Sequence, residues 1–170
     1  MNQRGFTLTE LMVACAVIGI VMAGIFTLQQ QGQLAYLWGA SRVEVQQNAR
    51  LALDVMTREL RSALTVTNCA ATTIAFTDGS AVAVTYARAG GASPYTLQRT
   101  FSGTTTDVIG GLDSLTFTCY TSDGYTTTTT AASVRSVRIQ LRTRPEQNIQ
   151  AGQPGGQQAV VESRVRLRNL

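Results

Sequence analysis

The 170-residue sequence has no histidine and no lysine, so all fourteen basic residues are arginine. Without either type, neither a Ser–His nor a Ser–Lys nucleophile system can be built. No carboxylate pair stands at a convincing catalytic spacing, and neither GxGxxG nor a P-loop occurs. The three cysteines, Cys15, Cys69 and Cys119, form no CxxC, so no metal site is expected. A membrane-anchored exported hydrolase is therefore a poor reading, and no enzyme activity or cofactor is expected. Proline is nearly absent too, with none before Pro94, so nothing forbids a long helix in the first half. Charge is missing from Leu11 to Phe26, and after Glu10 the next basic residue is Arg42.

What is present begins with MNQRGFTLTELMVACAVIGIVMAGIF. The apolar stretch from Phe6 to Leu28 is 23 residues long, or about 34 Å of helix, enough to span a bilayer. A secretory signal would have a shorter apolar core and a small-x-small cleavage site at its far end. Here the far end reads FTLQQQGQLAYLW, with no A-x-A. The segment is thus expected to persist in the mature chain. Arg4 on the short side favours a cytoplasmic N-terminus and an exported C-terminal part. Glu10 is the oddity, since an unpaired carboxylate in hydrocarbon is expensive.

The helix is expected to continue beyond the membrane. In VEVQQNARLALDVMTRELRSAL, Val45, Ala49, Ala52, Met56, Leu60 and Ala63 (or Leu64) recur at helical spacing. Arg50, Asp54 and Arg58 stand four apart, where both pairs can attract. Gly32 and Gly39 weaken the junction, by about 1 kcal/mol each relative to alanine. Continuous helix from Phe6 to Leu64 would form a stalk about 88 Å long.

R-G-F-T-L-T-E-L followed by about twenty apolar residues resembles the class III signal of type IV pilins and pseudopilins. In that family a prepilin peptidase cuts after the glycine and methylates the new amine. The resemblance implies a leader at 1–5, a scissile Gly5–Phe6 bond, N-methylation at Phe6, and Glu10 in the position of the family's assembly glutamate. It further implies a helix at 6–28 that serves first as membrane anchor and then as filament core. An amphipathic half at 29–64 and a periplasmic or extracellular β-rich domain at 65–170 follow. In a filament Glu10 would meet an N-terminal amine, its own or a neighbour's, and fix subunit register. The bland alternative is a carboxylate snorkelling to the interface.

After Leu64 the texture turns to strand. TIAFT (73–77) and AVAVTYA (81–87) flank an Asp78-Gly79 turn signal, and YTLQRTF (95–101) follows a second turn. A short DVI is bracketed by SGTTT and GG. SLTFTCYT (114–121) places Leu115, Phe117 and Cys119 on one side, VRSVRIQLRT (134–143) alternates, and VVESRVRLR (160–168) ends the chain. Six or seven antiparallel strands covered by the amphipathic half-helix give an α+β fold, the pilin fold. The loops 122–133 and 144–158 are expected as surface excursions able to carry recognition. If this part is exported to an oxidising compartment, Cys69 and Cys119 form a disulfide; otherwise they are two free buried thiols.

The helix end and the closing strands resemble PilW-type minor pilins. Their N-x-R-x-A-L…R-[DE]-L/I-R pattern falls on Asn48, Arg50, Ala52, Leu53, Arg58, Glu59, Leu60 and Arg61. GGLDSLTFTCYTSDG is similar to their later strand, although Cys119 intervenes before Tyr120. Many major pilins bend at a proline in the apolar helix; this one carries only Gly19 and Gly24 there. The resemblance implies a minor pilin of a type IV pilus in a priming or tip complex. Its partners would be other minor pilins, a major pilin, a tip adhesin, the prepilin peptidase and the inner membrane. Adhesion and twitching motility would be the outputs. Pseudopilin J of a type II secretion system is the runner-up. Direct DNA binding would lean on Arg135, Arg138, Arg142, Arg144, Arg164, Arg166 and Arg168. A solvated outer sheet face is the preferred account of these, and no nucleic acid is expected.

Overall fold

In the computed structural model, the residues described are 7–147, 149, 153 and 156–169. One helix, α1 (Leu8–Ser62), runs 55 residues, about 82 Å at 1.5 Å per residue. It stops two residues short of the expectation at the C-terminal end. Ala63 leaves the helix with ψ 133°, its N–H turning back to the Leu60 carbonyl. The Leu64 N–H is then captured by the Thr77 carbonyl at 2.9 Å. Gly32 and Gly39 do not interrupt α1.

The stripe read from the sequence is the stripe that packs. Ser41, Val45, Ala49, Ala52, Met56 and Leu60 are buried, with Ala63 continuing the line. Of the two charge pairs expected on the exposed face, Asp54 closes on Arg58. Both partners are mostly solvated, so the pair contributes about 0.3–0.5 kcal/mol.

Seven strands form one antiparallel meander in chain order. They are β1 (Thr65–Ala70), β2 (Thr73–Thr77), β3 (Ala83–Ala89), β4 (Tyr95–Phe101), β5 (Thr104–Tyr120), β6 (Ser136–Thr143) and β7 (Ala159–Arg166). Alternation aims one side of each strand at the helix: Ile74 and Phe76, Val84 and Tyr86, then Leu115, Phe117 and Cys119, then Val137, Ile139 and Leu141. The sheet curls, so that β1 returns against β5. There the Phe117 N–H meets the Ala71 carbonyl at 2.8 Å, and Cys69 is disulfide-bonded to Cys119.

Three expectations need correction. TVTNCA at 65–70 is a strand the reading passed over; a bulge between Val66 and Asn68 breaks its period of two. The hairpin expected around Asp78-Gly79 forms, but its second strand is Ala83–Ala89, two residues later than 81–87. Its connection covers 78–82, with the Asp78 carboxylate accepting the Ser80 and Val82 N–H groups and Ala81 at φ 61°. Finally, DVI and SLTFTCYT are parts of one strand, the 17-residue β5.

Gly110-Gly111, which looked like punctuation, is where β5 bends. The register shifts on both flanks, and Gly111 sits at φ +62° with its carbonyl accepting the Arg144 N–H at 2.7 Å. A Cβ on Gly111 would overlap the Arg144 carbonyl oxygen, which is backbone and cannot move aside cheaply. Gly111→Ala therefore combines a left-handed backbone with a steric clash. It should cost about 2–3 kcal/mol, read as a lowered thermal midpoint of the full chain in detergent; an unchanged midpoint would contradict the close approach.

A half-buried polar junction ties helix to sheet away from the apolar stripe. Glu59 accepts the Tyr86 hydroxyl at 2.7 Å and Arg99 Nε at 3.0 Å, while Arg99 Nη2 reaches its other oxygen at 2.8 Å. Burial, and then the Glu59 carboxylate, push the Tyr86 hydroxyl well above its ordinary range. The bond to Glu59 likewise raises Arg99, against a smaller effect of burial. These three residues tie the last turn of α1 to β3 and β4.

Candidate functional site

The unusual surface of this molecule is the part of α1 that packs on nothing. Every described residue from 7 to 40 is exposed, an overhang of about 50 Å. It carries Leu11, Val17, Ile20, Val21, Ile25 and Phe26 to solvent on all sides. A helix apolar all round belongs in a membrane or in the middle of a bundle. This one is long and apolar enough to cross a membrane.

At its head Thr7 and Glu10 form a capping box. Thr7 holds an extended backbone (φ −82°, ψ 153°) and its hydroxyl oxygen accepts the Glu10 N–H at 3.3 Å. The Glu10 carboxylate folds back to accept the Thr7 N–H at 2.9 Å and the Thr7 hydroxyl at 3.0 Å. Two of the N–H groups that a helix start leaves orphaned are thereby satisfied. The carboxylate also lies at the positive end of the helix dipole. This geometry adds a third account of Glu10 beside the two weighed from the sequence: the acid caps its own helix. Its sequence signal is T-x-x-E, Thr7 to Glu10, ahead of an apolar run.

Gly5 and Phe6, the expected cleavage and methylation positions, lie outside the described residues, as does all of the expected leader at 1–5. Glu10 is placed on the second residue after the helix start, solvent-exposed. Cys69 and Cys119 are joined, and Cys15 is a free thiol on the overhang. Among the described residues no group of three His, Cys, Asp or Glu side chains could hold a metal ion.

The arginines of β6 and β7 do gather on the outer face, where Arg138 and Arg164 stand directly opposite one another. They are not a bare stripe. Arg138 pairs with Glu162 at 3.1 Å, and Arg142 and Arg144 approach Asp113 at 3.8 and 4.0 Å. Arg138 and Arg164 also lie over the Tyr120 ring, at 5.7 and 4.3 Å. Arg138, Arg142 and Arg144 thus have acidic neighbours within the domain.

No curated protein matches the chain. Residues 1–26, which contain both the capping box and most of the apolar run, match the family model of the prokaryotic N-terminal methylation motif. That motif, followed by a projecting apolar helix on a seven-stranded α+β domain, indicates a type IV pilin-like or pseudopilin protein, of a structural rather than a catalytic family.

Proposed function

We propose that the chain is a minor pilin of a type IV pilus, a structural subunit of the priming complex that starts assembly beneath a tip adhesin. The observation that carries the filament part is the overhang: about 50 Å of apolar helix capped by one carboxylate and packed on nothing. The minor role rests on the resemblance of the helix end, Asn48 to Arg61, and of the closing strands. In this reading residues 1–5 are a leader, cut at Gly5–Phe6 by a prepilin peptidase that methylates Phe6. The helix from 6 to 28 anchors the subunit in the inner membrane, N-terminus in the cytoplasm, and later joins the filament core. Within the amphipathic half at 29–64 the helix packs on the sheet from Ser41 onward, and 65–170 form the exported domain.

The capping box bears on how Glu10 would meet an amine. The carboxylate already turns toward the chain start to accept the Thr7 N–H. A cut before Phe6 would create a charged amine one residue further on, close to an acid already oriented.

The test is mass spectrometry and co-purification from the producing cell. The mature chain should begin at N-methylated Phe6 and be recovered with other minor subunits in sheared pili. Abundant fibres built of this chain alone would overturn the minor role. Recovery with a secretin apparatus, and loss of exoprotein secretion on deletion, would favour the pseudopilin J reading.

A further inference from the structure

At the far pole of the domain, where α1 ends, four arginines converge on a hollow. The Asn169 side-chain amide reaches the Ser62 carbonyl at 3.4 Å, so the chain end and the helix end share this pole. Arg135, Arg166 and Arg168 line one cavity of about 530 Å³. A second, of about 390 Å³, shares Arg135, Arg166 and Ser122 with it and adds Arg164, Asp123 and Tyr125. Four cations thus face one acid.

That acid is already committed. Asp123 accepts the Thr121 and Thr126 hydroxyls and the Tyr125 and Thr126 N–H groups of its own loop. The Thr121 hydroxyl first, then the Thr126 contacts, hold it well below the ordinary carboxylate range, so it stays charged and internally satisfied. Arg135 donates to the Ala132 and Val134 carbonyls, and Arg164 to Gly124 and Ser136. The side chains of Arg166 and Arg168, both exposed, make no ion pair or hydrogen bond with the described residues. At the rim Tyr125 is 88 % exposed, the most exposed large hydrophobic side chain of the described chain.

We propose that this pole is a docking surface for an acidic face of a second protein subunit, whose carboxylates enter the hollow between Arg135, Arg166 and Arg168 while Tyr125 is covered at the rim. It rests on the filament reading in one respect: the pole lies at the opposite end of α1 from the membrane-spanning overhang, where a more distal subunit would sit. The chemistry is that of protein interfaces, in which tyrosine and arginine carry most of the binding energy. Guanidinium forks match carboxylates in bidentate geometry. A nucleic-acid duplex fits less well. Non-specific duplex binders track the backbone with many cations, whereas here the remaining outer arginines are paired with Glu162 and Asp113.

The experiment uses the full chain in detergent micelles and fluorescence anisotropy with a labelled alternating Glu-Ala octapeptide. The controls are its Gln-Ala counterpart, a 20-base-pair duplex and polygalacturonate. The Glu-Ala peptide should bind in a salt-sensitive manner, weakened about tenfold in Arg166→Gln/Arg168→Gln. Tyr125→Ala should weaken it several-fold without changing the salt slope, which simple ion exchange would not produce. Both sites are exposed, and an unchanged melting temperature verifies folding. In cells, a benzophenone photo-crosslinker at position 125 should capture a carboxylate-bearing protein segment, and the double substitution should remove the adduct. Equal peptide binding by wild type and the double variant overturns the proposal. So does tighter binding of duplex or polygalacturonate through the same arginines, or an adduct lacking Asp and Glu. The filament reading stands or falls separately, on recovery of the wild-type chain in sheared pili.

Discussion

Glu10→Ala should lower the amount of this subunit in sheared filaments about tenfold or more, while its level in the inner membrane stays near wild type. The asymmetry follows from where the carboxylate is needed. In the membrane, alanine removes a group that hydrocarbon disfavours, so insertion does not suffer. In the proposed filament core, the acid's absence would leave an N-terminal amine, the subunit's own or a neighbour's, without a partner and the axial register without its one charged mark. No basic side chain between residues 11 and 41 could substitute for the lost pair.

The capping box makes a sharper version possible. Glu10 does two things at once in this structure, as N3 of the cap and as the only charge on the overhang. Glutamine can fill the N3 position of such a box but carries no charge. Glu10→Gln should therefore keep the helix start and still fail to assemble. Thr7→Ala has the opposite character. It removes the cap, at about 1 kcal/mol, and keeps the charge, so incorporation should stay within about twofold of wild type. Quantitative blotting of sheared and membrane fractions reads all three variants. If Glu10→Gln assembles normally while Thr7→Ala does not, capping, and not ion pairing, is what Glu10 supplies.

Where periodicity was clean, the sequence could be read closely. TIAFT and YTLQRTF are β2 and β4 to the residue, because each is a short run free of Gly and Pro that is closed by a turn signal, Asp78-Gly79 and Ser102-Gly103. The buried stripe of α1 was legible from Val45 to Leu60 because those members are apolar at helical spacing, whereas Ser41, polar, gave no such signal. Misreadings occurred where one residue broke a period. The bulge in β1 places two exposed positions together, so its pattern reads as neither strand nor helix. In β5 the left-handed Gly111 imitates a turn while the ladder runs through it. The outer arginines could be listed from the sequence but not sorted. Only the pairing of β6 with β7 sets Glu162 beside Arg138 and leaves Arg166 and Arg168 at the open pole. The partner of Glu10 was inaccessible for a different reason: an exposed helix offers no internal contact by which to choose it.

Removing the disulfide should have the largest effect on the stability of the folded domain. Cys69 and Cys119 are separated by 50 residues, and the loop-entropy relation gives about 4 kcal/mol for closing such a loop. Measured values for native bridges run about 2–5 kcal/mol, a large part of the 5–15 kcal/mol that holds a typical domain folded. Both sulfurs are buried in the core, Cys119 the more deeply. Serine at the two sites would add unpartnered hydroxyls to the loss of the bond, so Cys69→Ala/Cys119→Ala is the cleaner variant. Its urea midpoint should match that of the wild-type chain under reducing conditions. A midpoint shift worth less than about 1 kcal/mol would show that the sheet holds its curl without the bond.

The loss should also be local before it is global. β1 is an edge strand, laddered only to β2, and its hold on β5 consists chiefly of the disulfide and the Phe117–Ala71 hydrogen bond. Hydrogen exchange in the reduced chain should therefore quicken first in β1 and the adjoining 71–72 turn. The packed core of β5 and β6 against Met56 and Leu60 should open later. α1 passes into β1 through only Ala63 and Leu64, so the loosening should stop at this link, where buried Leu60 and the Glu59 junction still hold the helix on the sheet. The bridge thus links folding to location. A subunit retained in a reducing compartment keeps its projecting helix and the Glu59 junction with Tyr86 and Arg99 but lacks the covalent link between β1 and β5.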